Sequence, residues 1–339
     1  MPLDHQLLSN LSEAAGPAGG EGPVRDILRD HLRDRVDELR TDVLGNLFAV
    51  KRGGRAGAPR ILLTAHMDEA GLMVAQINAN GLLRVRPAGR TGVRGLLGQV
   101  LSIGAQRIPG VIGVTPVHLT PPDDRKPLPT MDDLAVDIGV DSKEAAEAVV
   151  KRGDYAVFAT RFGRVGDLLK GKALDNRAGV AVIAALLDGD YPCDVHAVFT
   201  VQEGVGARGA RVAAYAVRPD VAFIVDGVAV DEIPDEDAPP PDVRLGAGPV
   251  LVLSDQGMVT SPAVTAQLRD AARAAGLPLQ TLAAREGRSD TRAVQVAQAG
   301  VPAALLGIPL RYPHLPVSLA HPDDLENAVR VLRATLSRL

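Results

Sequence analysis

Ile61-Leu-Leu-Thr-Ala-His-Met-Asp68 is the stretch on which the fold turns. A short apolar run closed by polar residues has the texture of a strand buried on both faces, which predicts a strand over 61–65 that delivers His66 and Asp68 to its C-terminal end. The texture continues after Gly166: helix 176–188, strand 195–202, helix 208–216, strand 221–226, strand 302–308 and helix 323–338. Such alternation signals a largely parallel sheet covered by helices. Upstream, Ile27, Leu28, Leu32, Val36 and Leu39 recur at helical spacing, and Leu44–Lys51 reads as a strand. Between them, residues 69–163 change character. Leu82-Leu-Arg-Val-Arg, Gln99-Val-Leu-Ser-Ile and Gly110-Val-Ile-Gly-Val are short β-like runs separated by Gly and Pro. Only Ser142–Lys151 reads as a helix there, opened by the capping-box spacing of Asp141-Ser-Lys-Glu144. The expected fold is α/β: a central mixed, mostly parallel sheet covered by helices, formed by 1–68 and 164–339, with a small β domain inserted at 69–163. Gly53–Pro59, Pro121–Pro127 and the acidic, Pro-rich Asp231–Pro241 read as turns or loops.

Composition narrows the function. The chain has 339 residues, 46% of them hydrophobic, and a net charge of −4, so it can bury a large core and is too near neutral for a dedicated nucleic-acid or membrane-surface binder. With 3% aromatic residues and no Trp, stacking clefts for polysaccharide or single strands are disfavoured. The lone Cys193 excludes an internal disulfide, and the first residues lack a secretion signal, so the expected compartment is the cytoplasm. The longest nearly uncharged run, around Ala178–Leu187, is about half of the ~20 residues a membrane span requires.

In open α/β sheets, ligands collect at the carboxyl ends of strands. His66, Asp68, Glu203 and Asp226 stand at such ends, His314 lies just beyond strand 302–308, and Asp175 opens helix 176–188. Individually, Asp175 reads as a helix N-cap, Asp226-Gly227 as a turn, and a strand-end His as a satisfied polar residue. Glu203 is harder to place so, because a carboxylate beside an apolar core is costly unless paired or bound. Together they bring imidazoles and carboxylates to one sheet edge, a donor set suited to zinc, manganese or cobalt, and a carboxylate between two ions is a known way to activate water.

Five segments, in order, resemble the motifs of the tetrahedral-type metallo-aminopeptidases, the glutamyl aminopeptidase relatives. They are Ala65–Gly71, Lys172-Ala-Leu-Asp-Asn-Arg-Ala-Gly179, Thr200-Val-Gln-Glu-Gly-Val-Gly-Ala-Arg-Gly-Ala210, Ile224-Val-Asp226 and Ile308–His314. The similarity spans nearly the whole chain. It implies that His66, Asp175 and Asp226 hold one metal, that Asp175 bridges to a second ion also bound by His314, and that Asp68 orients the His66 imidazole. Glu203 is implied to be the general base, and the reaction to be hydrolysis of the N-terminal peptide bond of short peptides. The insert is implied to govern active-site access and assembly of dimers into a dodecamer. The pattern departs at Gly204, where relatives carry a second Glu that ligates the second ion, and glycine has no side chain to coordinate. Asn176, Gly287-Arg-Ser-Asp-Thr291 and Leu315 are smaller departures that delete no ligand.

Three alternatives compete. Gly204-Val-Gly-Ala-Arg-Gly209 is a literal G-x-G-x-x-G, with Asp226 ending the next strand, as an NAD-dependent oxidoreductase would need. A non-catalytic or single-metal paralogue acting as an oligomeric scaffold would explain Gly204. A carbohydrate hydrolase lacks a carboxylate pair with aromatic platforms. H-E-x-x-H and the phosphate-cradling G-x-x-x-x-G-K-[ST] do not occur. His118 reads as support for the insert's loop, and His321 as the lead-in to a helix capped by Asp323 or Asp324.

Overall fold

The computed structural model describes residues 3–54, 57–121, 128–230, 242–284 and 287–339. Most of the loop Pro121–Pro127, all of Asp231–Pro241 and part of the turn Gly53–Pro59 lie outside them. The chain opens with helices α1 (His5–Glu13) and α2 (Gly22–Leu32), then strands β1 (Glu38–Thr41), β2 (Leu47–Lys51) and β3 (Arg60–His66). Next come β4 (Gly71–Ile77), β5 (Leu83–Ala88), β6 (Val100–Ile103), β7 (Ile108–Gly113), β8 (Ala135–Asp137), α3 (Lys143–Glu147) and β9 (Tyr155–Phe158). The chain then returns through β10 (Gly163–Val165), β11 (Leu168–Gly171), α4 (Leu174–Leu186), β12 (Asp194–Thr200), α5 (Arg208–Val217) and β13 (Val221–Ala229). It ends with β14 (Val250–Ser254), α6 (Pro262–Ala274), β15 (Gln280–Ala283), α7 (Thr291–Val294), β16 (Ala303–Arg311), β17 (Ser318–Ala320) and α8 (Pro322–Leu336).

One large sheet runs β1-β2-β12-β3-β13-β16-β17-β11-β10, with β14 on β16 and β15 on β14. Side chains alternate across it as the strand period demands. Ile61, Leu63 and Ala65 face a core shared with α1, α2, α4, α6 and α8, whereas Leu62 faces one shared with α5 and α7. Helices therefore cover both faces. The sheet is mixed rather than mostly parallel: β12, β3, β13 and β16 are parallel neighbours at its centre, but antiparallel pairings prevail toward the edges. The physical reason is connection length. Short links such as those between β1 and β2, β10 and β11, and β16 and β17 close antiparallel pairs, whereas parallel neighbours need long crossovers.

Strands β4–β9 form a separate small antiparallel barrel, order β4-β5-β8-β7-β6-β9, around its own core of Leu72, Val85, Ile103, Val136 and Phe158. The helix within it is shorter than expected, and its N-cap is Ser142, whose hydroxyl accepts from the Ala145 N–H at 3.3 Å, rather than Asp141. Val36 and Leu39 do not continue α2. Leu39 pairs with Ala49 in the β1–β2 hairpin, so pairing with a neighbouring strand overrides a spacing that fits a helix. At the last helix the N-cap is His321 itself, accepting from Asp323 N–H at 3.2 Å, while Asp324 is buried and accepts from Gly246 and Gly248 N–H. No helix among the described residues is long and apolar enough to cross a membrane.

Candidate metal centre

The carboxyl edge of the parallel strands carries the site. His66 is the last residue of β3, in register with Thr200 at the end of β12, and Asp226 lies toward the same end of β13. The His66 Nδ1 lies 3.0 Å from the backbone carbonyl of Asp68, which directs Nε2 at the acids: 3.4 Å from Asp226 Oδ1 and 3.6 Å from Asp175 Oδ1. The other Asp175 oxygen, Oδ2, lies 2.9 Å from His314 Nε2. One carboxylate thus faces an imidazole on each side.

Asp175 is free for this because its neighbour caps the helix. The Asn176 side chain accepts from Gly179 N–H at 3.1 Å and donates to the Val225 carbonyl at 2.8 Å, so the N-cap reading of Asp175 gives way. The peptide bond between Asp175 and Asn176 is cis. Left-handed backbone at non-glycine residues costs about 1–3 kcal/mol, and three such residues belong to or flank the site: Ala173 (φ 55°), Gln202 (φ 59°) and His314 (φ 62°). Packing here holds the chain against its own preference.

Electrostatics match a cation site. Burial works to raise the Asp175 carboxyl, but the His314 and His66 imidazoles beside it outweigh burial and hold it far below the carboxylate range. Burial opposes charging of His66, yet the carboxylates of Asp175, Asp226 and Asp68 around the ring raise it well above the usual imidazole value. The His314 imidazole is raised by its bond to Asp175, and burial raises Asp226. Such a cluster shares protons where a divalent ion would displace them. His66, Asp175 and Asp226 offer ligand atoms within 4.8 Å of one another, and Asp175 Oδ1 is buried without a hydrogen-bond partner among the described residues. These three fit an ion.

Among the described residues the remaining donors do not make a second such set: Asp175 Oδ2 and His314 stand together, and Gly204 has no side chain to add. The Asp68 carboxylate lies 3.5 Å from His66 Nδ1 and accepts the N–H groups of both Glu203 and Gly204 at 2.9 Å, so it fixes the turn after β12 as well as facing the imidazole. Glu203 is buried, and burial pushes its carboxyl up to about 7. Arg292, 3.6 Å from Glu203 Oε1, and Asp290, bonded by the Thr200 hydroxyl at 2.6 Å, complete its surroundings. The sequence analysis names neither as a site residue, although Asp290 lies within the Gly287–Thr291 segment and Arg292 follows it directly. A cavity of about 430 Å³ opens over the cluster, lined by His66, Asp175, Glu203, Asp226, His314 and Arg90 among others.

The glycine run after β12 does not behave as a dinucleotide cradle. A Cβ at Gly209 would sit 2.3 Å from Asn46 Oδ1 and 2.5 Å from the Val201 carbonyl, so this glycine serves the protein's own packing, and Asp226 belongs to the His66 cluster.

The M42 glutamyl aminopeptidase family model matches residues 45–331. The lysyl aminopeptidase of Pyrococcus furiosus is 34% identical over 99% of this chain and 98% of its own. An aminopeptidase from the archaeon Desulfurococcus kamchatkensis superposes with a TM-score of 0.94 at 33% identity, over 98% of this chain and 94% of its own. The TET1 peptidase of Pyrococcus horikoshii, described as assembling into a tetrahedron or a large octahedral shell, superposes at 0.87 with 32% identity, over 98% and 99% of the two chains. These similarities favour peptide hydrolysis over the scaffold and dinucleotide alternatives.

Proposed function

Because the chain belongs to the M42 glutamyl aminopeptidase family and is an aminopeptidase, hence a hydrolase, we propose that it removes the N-terminal residue of short peptides at the centre built by His66, Asp175 and Asp226. The observation that carries this site is the convergence of those three ligand atoms beside the buried Glu203. His66, Asp175 and Asp226 would hold zinc, cobalt or manganese, which when bound supplies a Lewis acid for the scissile carbonyl. Glu203 acts as general base: its carboxylate takes a proton from the attacking water and passes it to the leaving amine nitrogen as the C–N bond breaks and the C–O bond forms. Asp68 sets both the His66 ring and the Glu203 backbone. His314 holds the second oxygen of Asp175.

Residues 69–163 form the inserted domain, which controls access and contributes to a homo-oligomer of dimers building a dodecamer, as the TET-type architecture of its structural neighbours suggests. The compartment we assign is the cytoplasm. The residue preferred at the N-terminus follows from the loops around the cavity, since a glutamyl family model and a lysyl relative share this scaffold. The test is release of nitroaniline from a panel of aminoacyl-p-nitroanilides by protein loaded with zinc, cobalt or manganese. Turnover confined to substrates with a free α-amine, abolished by chelation and restored by metal, is the expected result. Equal turnover of N-acetylated substrates, or turnover indifferent to chelation, overturns it.

A further inference from the structure

Arg90 lines the cavity together with Asp175, Glu203 and His314, and among the described residues it has no carboxylate partner. We propose that the centre works with a single divalent ion, on His66, Asp175 and Asp226, and that the Arg90 guanidinium supplies the positive charge beside Asp175 and His314 that a second ion would bring. This rests on the metallo-aminopeptidase reading and goes beyond it.

Three observations carry the proposal. The first is the donor set. A catalytic ion ordinarily has three protein ligands, and the only group of three or more His, Cys, Asp or Glu donors found together among the described residues is His66, Asp175 and Asp226. The second is proximity. A Cβ at position 204 would start 3.2 Å from Gly89 Cα, 3.3 Å from Asp68 Oδ2 and 3.8 Å from the Arg90 nitrogen, so the turn that carries Arg90 packs directly against the position where relatives carry the second-ion ligand. Gly89, at φ 102°, permits that close turn. The third is charge. The Arg90 side chain lines the same cavity as Asp175, Glu203 and His314, so a fixed cation shares the space where a second ion would sit. A guanidinium stays protonated, cannot coordinate, and repels a second dication, but its N–H donors can meet a carbonyl oxygen as negative charge builds on it.

Metal content separates this from a two-ion centre. Holoprotein dialysed against zinc and weighed by native mass spectrometry should carry one ion per chain. The double variant Arg90→Ala with Gly204→Glu should carry two. Two retained ions in the wild type overturn the proposal outright, without recourse to any variant. In turnover, Arg90→Ala should lower kcat about 100-fold, as loss of an oxyanion donor does, with the single ion retained and partial rescue by Arg90→Lys. An unchanged kcat overturns the role of Arg90. A wild type that holds one ion yet releases nitroaniline from no substrate would instead defeat the aminopeptidase reading, while its ion count would still support a single-ion centre.

Discussion

Asp68→Asn is the substitution that most sharply separates positioning from coordination. The native carboxylate accepts two backbone N–H groups, from Glu203 and Gly204, each at 2.9 Å, and is almost fully buried. Hydrogen bonds to a charged acceptor contribute about 1.5–3 kcal/mol each, and a buried donor left without a partner costs about 1–3 kcal/mol. An amide keeps one accepting oxygen but turns an NH2 toward the other N–H, so roughly 3–5 kcal/mol of local ordering is lost. If about 3 kcal/mol of that appears as misplacement of Glu203, kcat falls about 100-fold. The His66 Nδ1 keeps its nearest acceptor, the Asp68 backbone carbonyl at 3.0 Å, so the ion should stay. The assay is kcat on an aminoacyl-nitroanilide, with metal content and thermal denaturation measured on the same preparation. A kcat within threefold of wild type at full metal content would refute the reasoning. Loss of the ion in proportion to loss of activity would also refute it, by showing that the carboxylate works through the imidazole instead.

Glu203→Gln should reduce kcat by about 10²–10⁴ with metal retained, and in the wild type the acid limb of kcat/KM should lie at or below pH 7, because burial raises Glu203 to about 7 and only its ionised form accepts a proton. A pH profile that is unchanged in the variant contradicts this. Burial, reinforced by the charge of Glu203, pushes Asp290 up to about 8, so its contribution to stability is complete below the unfolded value near 4 and is lost as pH rises through 8. Asp290→Asn should therefore flatten the fall in melting temperature of chelated protein between pH 5 and 8, and an undiminished fall would count against it. Glu69 accepts from the buried Lys172 at 2.7 and 2.8 Å and from Gly16 N–H at 2.8 Å, so Glu69→Ala, which strands a buried ammonium, should cost about 3–5 kcal/mol in chemical denaturation; a loss below 1 kcal/mol would contradict it.

Much of this architecture is legible where the chain is buried on both faces. Ile61–Ala65, Val195–Thr200 and Val221–Val225 read as strands because all their positions but His196 and Val221 are buried, and the chemistry-bearing residues follow where those runs stop. The segment from Val250 to Val294 is less legible. Strand β15 is short and only half-buried, and α7 spans a single turn, although Val264, Leu268 and Ala272 in α6 do repeat at helical spacing. Proportions of parallel and antiparallel pairing depend on which distant strands meet, and no local pattern encodes that. The same holds for Arg90 and Arg292: arginines in or beside loops carry no local mark, and only the approach of the barrel turn to Gly204, or of α7 to Glu203, brings them to the site. Asp68 is an intermediate case. Its place beside His66 is visible in the motif, but its grip on the Glu203–Gly204 backbone is a long-range contact between separate strand ends.

Crystals of the protein loaded with cobalt, examined by anomalous scattering at the metal edge, test the central claim most directly. The account predicts a strong peak about 2.0–2.2 Å from His66 Nε2 and from one oxygen each of Asp175 and Asp226. Cobalt bound elsewhere, with His66, Asp175 and Asp226 left free of metal, would contradict it.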